Sequence, residues 1–301
     1  MKNQAMDYLR QELENFETIS KILINPPGSI PRLEHIDIYG DCVPLHGDVG
    51  GDHMIFVDFN NRYDMDTRIR IAREKGKKEV EEKLLLNTSR AGILILDVSG
   101  HSITDAYLAG RLHDAFLTGV LYELHNYGEI TARLFETLNT RFYDSLTIDK
   151  YLTLLYGEIS EEGTFRFISA GHPGPVVFSN KYNKIIEMSG DRLVTYPPLG
   201  MFPSEDDIDK RRHFSQIGYK EKYTVNEINL MGVGDIIVLY TDGLSEHRRN
   251  GEEYFPGNLE EILRRTKDLA SREIFDAVKG DLARFAPPQD DLSYVVIKKT
   301  A

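Results

Sequence analysis

Short apolar runs recur along this chain, separated by longer stretches in which apolar residues return every three or four positions. The short runs predict strands at 34–43, 52–59, 151–160, 164–170, 175–179, 184–188, 235–241 and 292–298. A further run, Ile93 to Leu96, reads as a buried strand. The longer period predicts helices at 103–124 and 128–145, then near 258–266 and 270–284. In the first of these, Ile103, Ala106, Tyr107, Gly110, Leu112 and Ala115 form the expected buried face. Residues 4–24 are also helical in pattern, with Met6, Leu9, Leu13, Phe16 and Leu23 on one stripe that Pro26-Pro27-Gly28 ends. That helix either packs on its own domain or pairs with a second copy in front of a catalytic domain. Residues 60–89 are dense in charge, and their acids nearly cancel their bases, which predicts a surface insertion with mixed charge pairs. Residues 190–222, with Pro197-Pro198-Leu199-Gly200, predict loop. Strands in groups with paired helices between them make an α+β layered domain.

Several strands end on a carboxylate. The Ile93–Leu96 run stops at Asp97, followed by a Ser99-Gly100 turn and His101. Gly50-Gly51-Asp52, Thr241-Asp242-Gly243 and Gln289-Asp290-Asp291 stand beside apolar strands in the same way. Four acidic strand ends, far apart in sequence, can converge on one cleft. Carboxylates without a cysteine or histidine cluster favour hard ions, Mg²⁺ or Mn²⁺, over zinc.

Composition narrows the picture. The chain has 301 residues, 41% hydrophobic and 28% charged, as expected of a folded soluble protein. Its formal net charge of −12 argues against nucleic acid or an anionic membrane as the main partner. It leaves a phosphorylated protein open, because bound metal ions offset charge locally. Cys42 is the single cysteine and reads as structural, since no phosphate-cradling loop follows it. No apolar run is long enough to span a membrane and no signal-peptide core is present, which predicts a cytoplasmic protein.

Six segments in order resemble the metal-dependent serine/threonine protein phosphatases of type 2C, and within them the bacterial SpoIIE/RsbU-like branch. They are Val49–Asp52, Leu96–His101, Ser169–Pro173, Pro198–Gly200, Gly234–Glu246 and Asp290–Val296. The resemblance implies a four-layer αββα sandwich of two antiparallel sheets flanked by helices, with residues 1–25 as an N-terminal helix and 26–301 as the phosphatase domain. It implies two Mn²⁺ or Mg²⁺ ions held by Asp52, Asp97, the Val98 carbonyl, Asp242 and Asp290, with Asp97 shared and Asp291 of less defined role. Asp97 and Asp242 then carry the catalysis with the metals. His101 is either a general acid for the leaving oxygen or a residue that shapes its turn. The implied substrate is a phosphorylated protein, in that branch a STAS-type anti-sigma-factor antagonist.

The chain departs from the pattern at Ser102, Asp105 and Tyr107, and in the run Asp52-His-Met-Ile55, which lacks the second Asp that often follows Gly-Gly-Asp by three. His172 reads as structural, and His46 and His53 as surface residues. Arg62 and Arg90 are near in sequence but give no clear phosphate clamp. A diguanylate cyclase, suggested by Gly50–Met54, leaves the later acidic motifs unexplained. A metal phosphohydrolase of the His-Asp type, suggested by His113-Asp114, lacks its further histidines. The serious rival is a non-catalytic pseudophosphatase that senses metal or binds a partner.

Overall fold

Two five-stranded sheets face each other, and the parity of side chains along each strand decides which face looks inward. The computed structural model describes residues 2–20, 29–47, 49–100, 103–143, 150–188, 193–209, 212, 215, 218–229 and 232–301. The first sheet has the order β1 (Ile36–Val43), β12 (Leu292–Lys299), β9 (Ile236–Tyr240), β6 (Val176–Ser179) and β7 (Lys184–Ile186). The second has the order β2 (His53–Asp58), β3 (Arg90–Val98), β4 (Leu152–Ser160), β5 (Thr164–Ala170) and β8 (Asn226–Asn229). Every pairing within them is antiparallel.

Alternate residues of each strand fill two different cores. From β3, Ala91, Ile93 and Ile95 lie between the sheets, against Ile237, Leu239, Val295 and Ile297. Leu94, Leu96 and Val98 point the other way, under α5 (Ile103–Asn126) and α6 (Ala132–Tyr143). A third core joins β9 and β12 to α8 (Gly257–Thr266) and α9 (Ser271–Phe285). The result is the expected αββα sandwich.

The charged stretch 60–89 is not one solvated helix. It forms α3 (Met65–Glu74) and α4 (Lys78–Asn87), turned at Gly76, whose φ of +67° suits glycine. Met65, Ile69, Ala72 and Leu84 pack into the helix-side core, while Arg73 and Glu81 pair outside at 2.7 Å. Short elements absent from the sequence reading are α2 (Phe59–Arg62), α7 (Asp242–Ser245), the strand β8 and the hairpin β10 (Arg248–Arg249) with β11 (Glu252–Glu253). Within 190–222 the described residues are loop, tied to α6 by a buried pair. Lys220 Nζ donates to both Glu136 carboxylate oxygens, at 2.9 and 3.1 Å, and sits over the Tyr223 ring. The N-terminal helix α1 spans Lys2–Ser20 and touches α5, and it leaves Met6, Leu9 and Leu13 exposed. Among the described residues, no helix is long and apolar enough to cross a membrane.

The inter-sheet core is expected to dominate stability. Ile95→Ala, which empties a fully buried site, should cost about 2–5 kcal/mol, whereas Ile208→Ala, at a position 95% exposed, should stay within about 0.5 kcal/mol. Urea unfolding of the two variants checks this.

Candidate active site

The parity that buries Ile93 and Ile95 between the sheets carries on to Asp97. In the same way Met54 and Phe56 continue to Asp52, Leu239 to Thr241, and Val295 to Ser293 and Asp291. At one pole of the sandwich the inward faces therefore change from aliphatic to polar. The register makes this concrete. His53 pairs with Leu96, so Asp52 falls opposite Asp97 one step on, and Asp97 itself pairs with Thr153. Across the gap, the Thr241 N–H donates to the Ser293 carbonyl at 2.9 Å.

The carboxylates are crowded. Burial, then the charges of Asp242, Asp290, Asp291 and Asp105, push Asp97 up to about 7. Burial and then Asp290 push Asp242 up to about 6. Asp52 is raised by burial and by Asp97, against the hydroxyl of Thr241, which donates to Asp52 Oδ2 at 2.8 Å. So the structure brings Asp52, Asp97, Asp242 and Asp290 to one pole, as the sequence suggested. It defines Asp291 differently. Asp291 is 3% exposed and accepts the Leu45 N–H on Oδ1 and the Gly51 N–H on Oδ2, each at 2.7 Å. It is the anchor of the loop that presents Asp52. Glycine is required there, because a Cβ on Gly50 would lie 2.2 Å from Asp291 Oδ2 and one on Gly51 would lie 2.5 Å from the Gly100 carbonyl. The Val98 carbonyl faces the same Gly51.

The donor chemistry, oxygen only, with like charges that raise one another, fits hard divalent cations. Among the described residues, no three His, Cys, Asp or Glu side chains converge closely enough to chelate an ion as they stand. The carboxylates surround the pole without closing a cage, and Asp52 is turned toward Thr241.

The neighbouring histidines do not offset this charge. His53 is buried, not a surface residue, because parity turns it under α5, where its Nε2 meets His113 Nδ1 at 2.7 Å. Burial and then His113 push it down to about 3, so it stays neutral. His172 is buried too. Its Nδ1 meets the hydroxyl of Thr153, the partner of Asp97, at 2.8 Å, and burial pushes its pKa down to about 3. His46 is exposed. His101 lies outside the described residues. Cys42 is beside Ser293 in the register, and burial together with Asp52 pushes its thiol up, so it is no thiolate nucleophile. Arg90 begins β3 at the opposite end from Asp97, and Arg62 follows the far end of β2, so neither is placed as a phosphate clamp. Thr241 and Ser293, both fully buried, were missed in sequence, although their parity with Leu239 and Val295 is the signal that finds them.

An aspartate whose folded pKa lies above its unfolded value favours folding below the unfolded value, and that contribution is lost as pH rises through the folded one. For Asp97 the window runs from its usual 3.8 up to about 7. In chelator, Asp97→Asn should therefore gain stability relative to the unmodified protein at pH 8 and gain little at pH 4. Urea unfolding at the two pH values checks the sign.

Comparison with known proteins bears on the fold and the family. A family model described as Stage II sporulation protein E (SpoIIE) matches residues 87–300. The phosphoserine phosphatase RsbP of Bacillus subtilis (strain 168) is 27% identical over 165 residues, 54% of this chain. The chain spans 34% of that relative's length. The SiaA-PP2C domain of Pseudomonas aeruginosa superposes with a TM-score of 0.64 at 14% identity, covering 98% of both chains. The RsbU and RsbW domains of Rv1364c from Mycobacterium tuberculosis give 0.57 at 21% identity, over 91% of this chain and 62% of that one. These structures share the fold, and with the family match extending over well more than half its length, the chain belongs to the SpoIIE family.

Proposed function

We propose that this protein is a metal-dependent serine/threonine protein phosphatase. One observation carries the reading: carboxylates from four separate strand ends gather at one pole, where burial and neighbouring charges hold Asp52, Asp97 and Asp242 up. Asp52, Asp97 with the Val98 carbonyl, Asp242 and Asp290 would hold two Mn²⁺ or Mg²⁺ ions. When bound, such a pair supplies an activated water for in-line attack and a clamp on the phosphate oxygens. The chain's own part is to fix the donors. Asp291 pins the Asp52 loop through two amides, Thr241 orients Asp52, and the β3–β4 pairing sets Asp97. With Cys42 held protonated, no thiol is available for a covalent phosphoenzyme. RsbP's description as a phosphoserine phosphatase supports a phosphoserine or phosphothreonine substrate, and the motif resemblance extends the proposal to a partner switch with a STAS-type protein as that substrate.

The rival, a non-catalytic regulator on the same fold, has the open arrangement of the carboxylates in its favour. A phosphoserine peptide with and without Mn²⁺ decides between the two. Mn²⁺-dependent release of phosphate is expected, reduced at least about 100-fold in Asp97→Asn, since removing even an indirect support of a metal site costs about 10–100-fold. At a hundredfold excess over Kd, Mn²⁺ should also raise Tm by on the order of 5 °C. Neither turnover nor a shift in Tm would leave the rival reading.

We also propose that α1 pairs with a second copy. Its exposed Met6, Leu9 and Leu13 follow the spacing of a helix seam, and α1 reaches the rest of the chain through α5, whose strand-side neighbour is β3. Removing residues 2–20 should halve the mass in solution and alter turnover. Light scattering and the same assay read both, and a variant unchanged in each would refute the pairing.

A further inference from the structure

One ion pair, its carboxylate buried, lies beside the turn that follows Asp97 and the loop that presents Asp52. Asp105, in the first turn of α5, is 0% exposed. Lys150, just before β4, donates from Nζ to Asp105 Oδ1 at 2.6 Å and to the Ser99 carbonyl at 2.8 Å. The Ser99-Gly100 turn is thus held from one side by an ammonium. From the other side, the Ser99 N–H donates to the Tyr151 carbonyl at 3.0 Å and the Tyr151 N–H to Ser99 Oγ at 3.1 Å. The fit is close. A Cβ on Gly100, which has φ of +108°, would lie 2.8 Å from Asp105 Oδ2 and 2.9 Å from Lys150 Nζ. A Cβ on Gly51 would lie 3.5 Å from the Asp105 Cβ and 2.9 Å from the Val98 carbonyl. The pair is therefore wedged between the turn that follows Asp97 and the loop that presents Asp52.

We propose that Asp105 and Lys150 are positioning residues, a charged wedge that sets the spacing of the Asp52 and Asp97 loops and with it the affinity of the pole for divalent cation. The affinity part rests on the metal-site reading above. A buried carboxylate bears a cost unless paired, and a pair kept at this place rather than an apolar contact fixes geometry in a way that packing alone does not. Lys150 reaches Ser99 and Asp105 with the same ammonium, so the turn after Asp97 cannot shift from the first turn of α5 without breaking one of its bonds. The helix α5 is thereby coupled to the site at its first turn.

The test separates positioning from mere stability. Lys150→Met takes the ammonium away from the buried Asp105 carboxylate and from the Ser99 carbonyl, so both Tm and Mn²⁺ affinity should fall. Asp105→Asn with Lys150→Met removes both charges. Tm in EDTA should then recover most of its loss. Mn²⁺ affinity by titration calorimetry should stay about tenfold weaker, and the Ser99 amide should exchange with deuterium at least about tenfold faster. A double variant with unaltered Mn²⁺ affinity overturns the proposal. If the unmodified protein binds no Mn²⁺, the metal reading fails instead. The wedge is then judged by exchange alone, and an unchanged Ser99 amide in both variants overturns it.

Discussion

Like charges do not gather in a protein interior without a structure that forces them together, and here the force is the closure of two sheets. Each inward face is aliphatic for most of its length, and its burial holds the sheets together. The same closure carries Asp52, Asp97, Asp242 and Asp290 to one rim, where burial and neighbouring carboxylates raise Asp52, Asp97 and Asp242. The hydrophobic core thus sustains an arrangement that electrostatics alone would disperse. A site built this way is high in energy when its carboxylates are ionised without a counter-charge, which is a physical reason for it to take up cations.

The polar residues around the pole divide the work. Asp291 spends both its oxygens on main-chain N–H groups and so fixes a loop rather than joining the cluster. Thr241 orients Asp52, and Thr153, the strand partner of Asp97, meets buried His172. Asp105 is a further carboxylate close enough to raise Asp97, but its own charge is matched by Lys150. The glycines at 50, 51 and 243 belong to the same design, since a side chain at Gly50 or Gly243 would strike Asp291 and one at Gly51 would strike the Gly100 carbonyl.

Legibility followed the range of the interactions involved. The aliphatic runs ending on Asp97, Asp242 and Asp290 were visible because a strand and its terminus are adjacent in sequence. The αββα layering was implied by motif resemblance and is what the structure shows. The burial of His53 was not visible, because it depends on which face of β2 lies under α5. The charged stretch at 60–89 concealed its buried Met65, Ile69 and Leu84 among so many exposed charges. Lys150 carried no motif at all, since its two partners lie 45 and 51 positions away.

By itself, then, the sequence determined the elements, their apolar faces and the acidic strand ends, because helical and strand periods and turn residues act over a few positions. Only the tertiary structure decided that Asp291 serves a loop while Asp290 stays with the cluster, that His53 and His172 are neutral and buried, and that Lys150 sits against the turn after Asp97. Those outcomes depend on strand register and on the packing of one sheet against the other, which bring together groups that no local pattern connects.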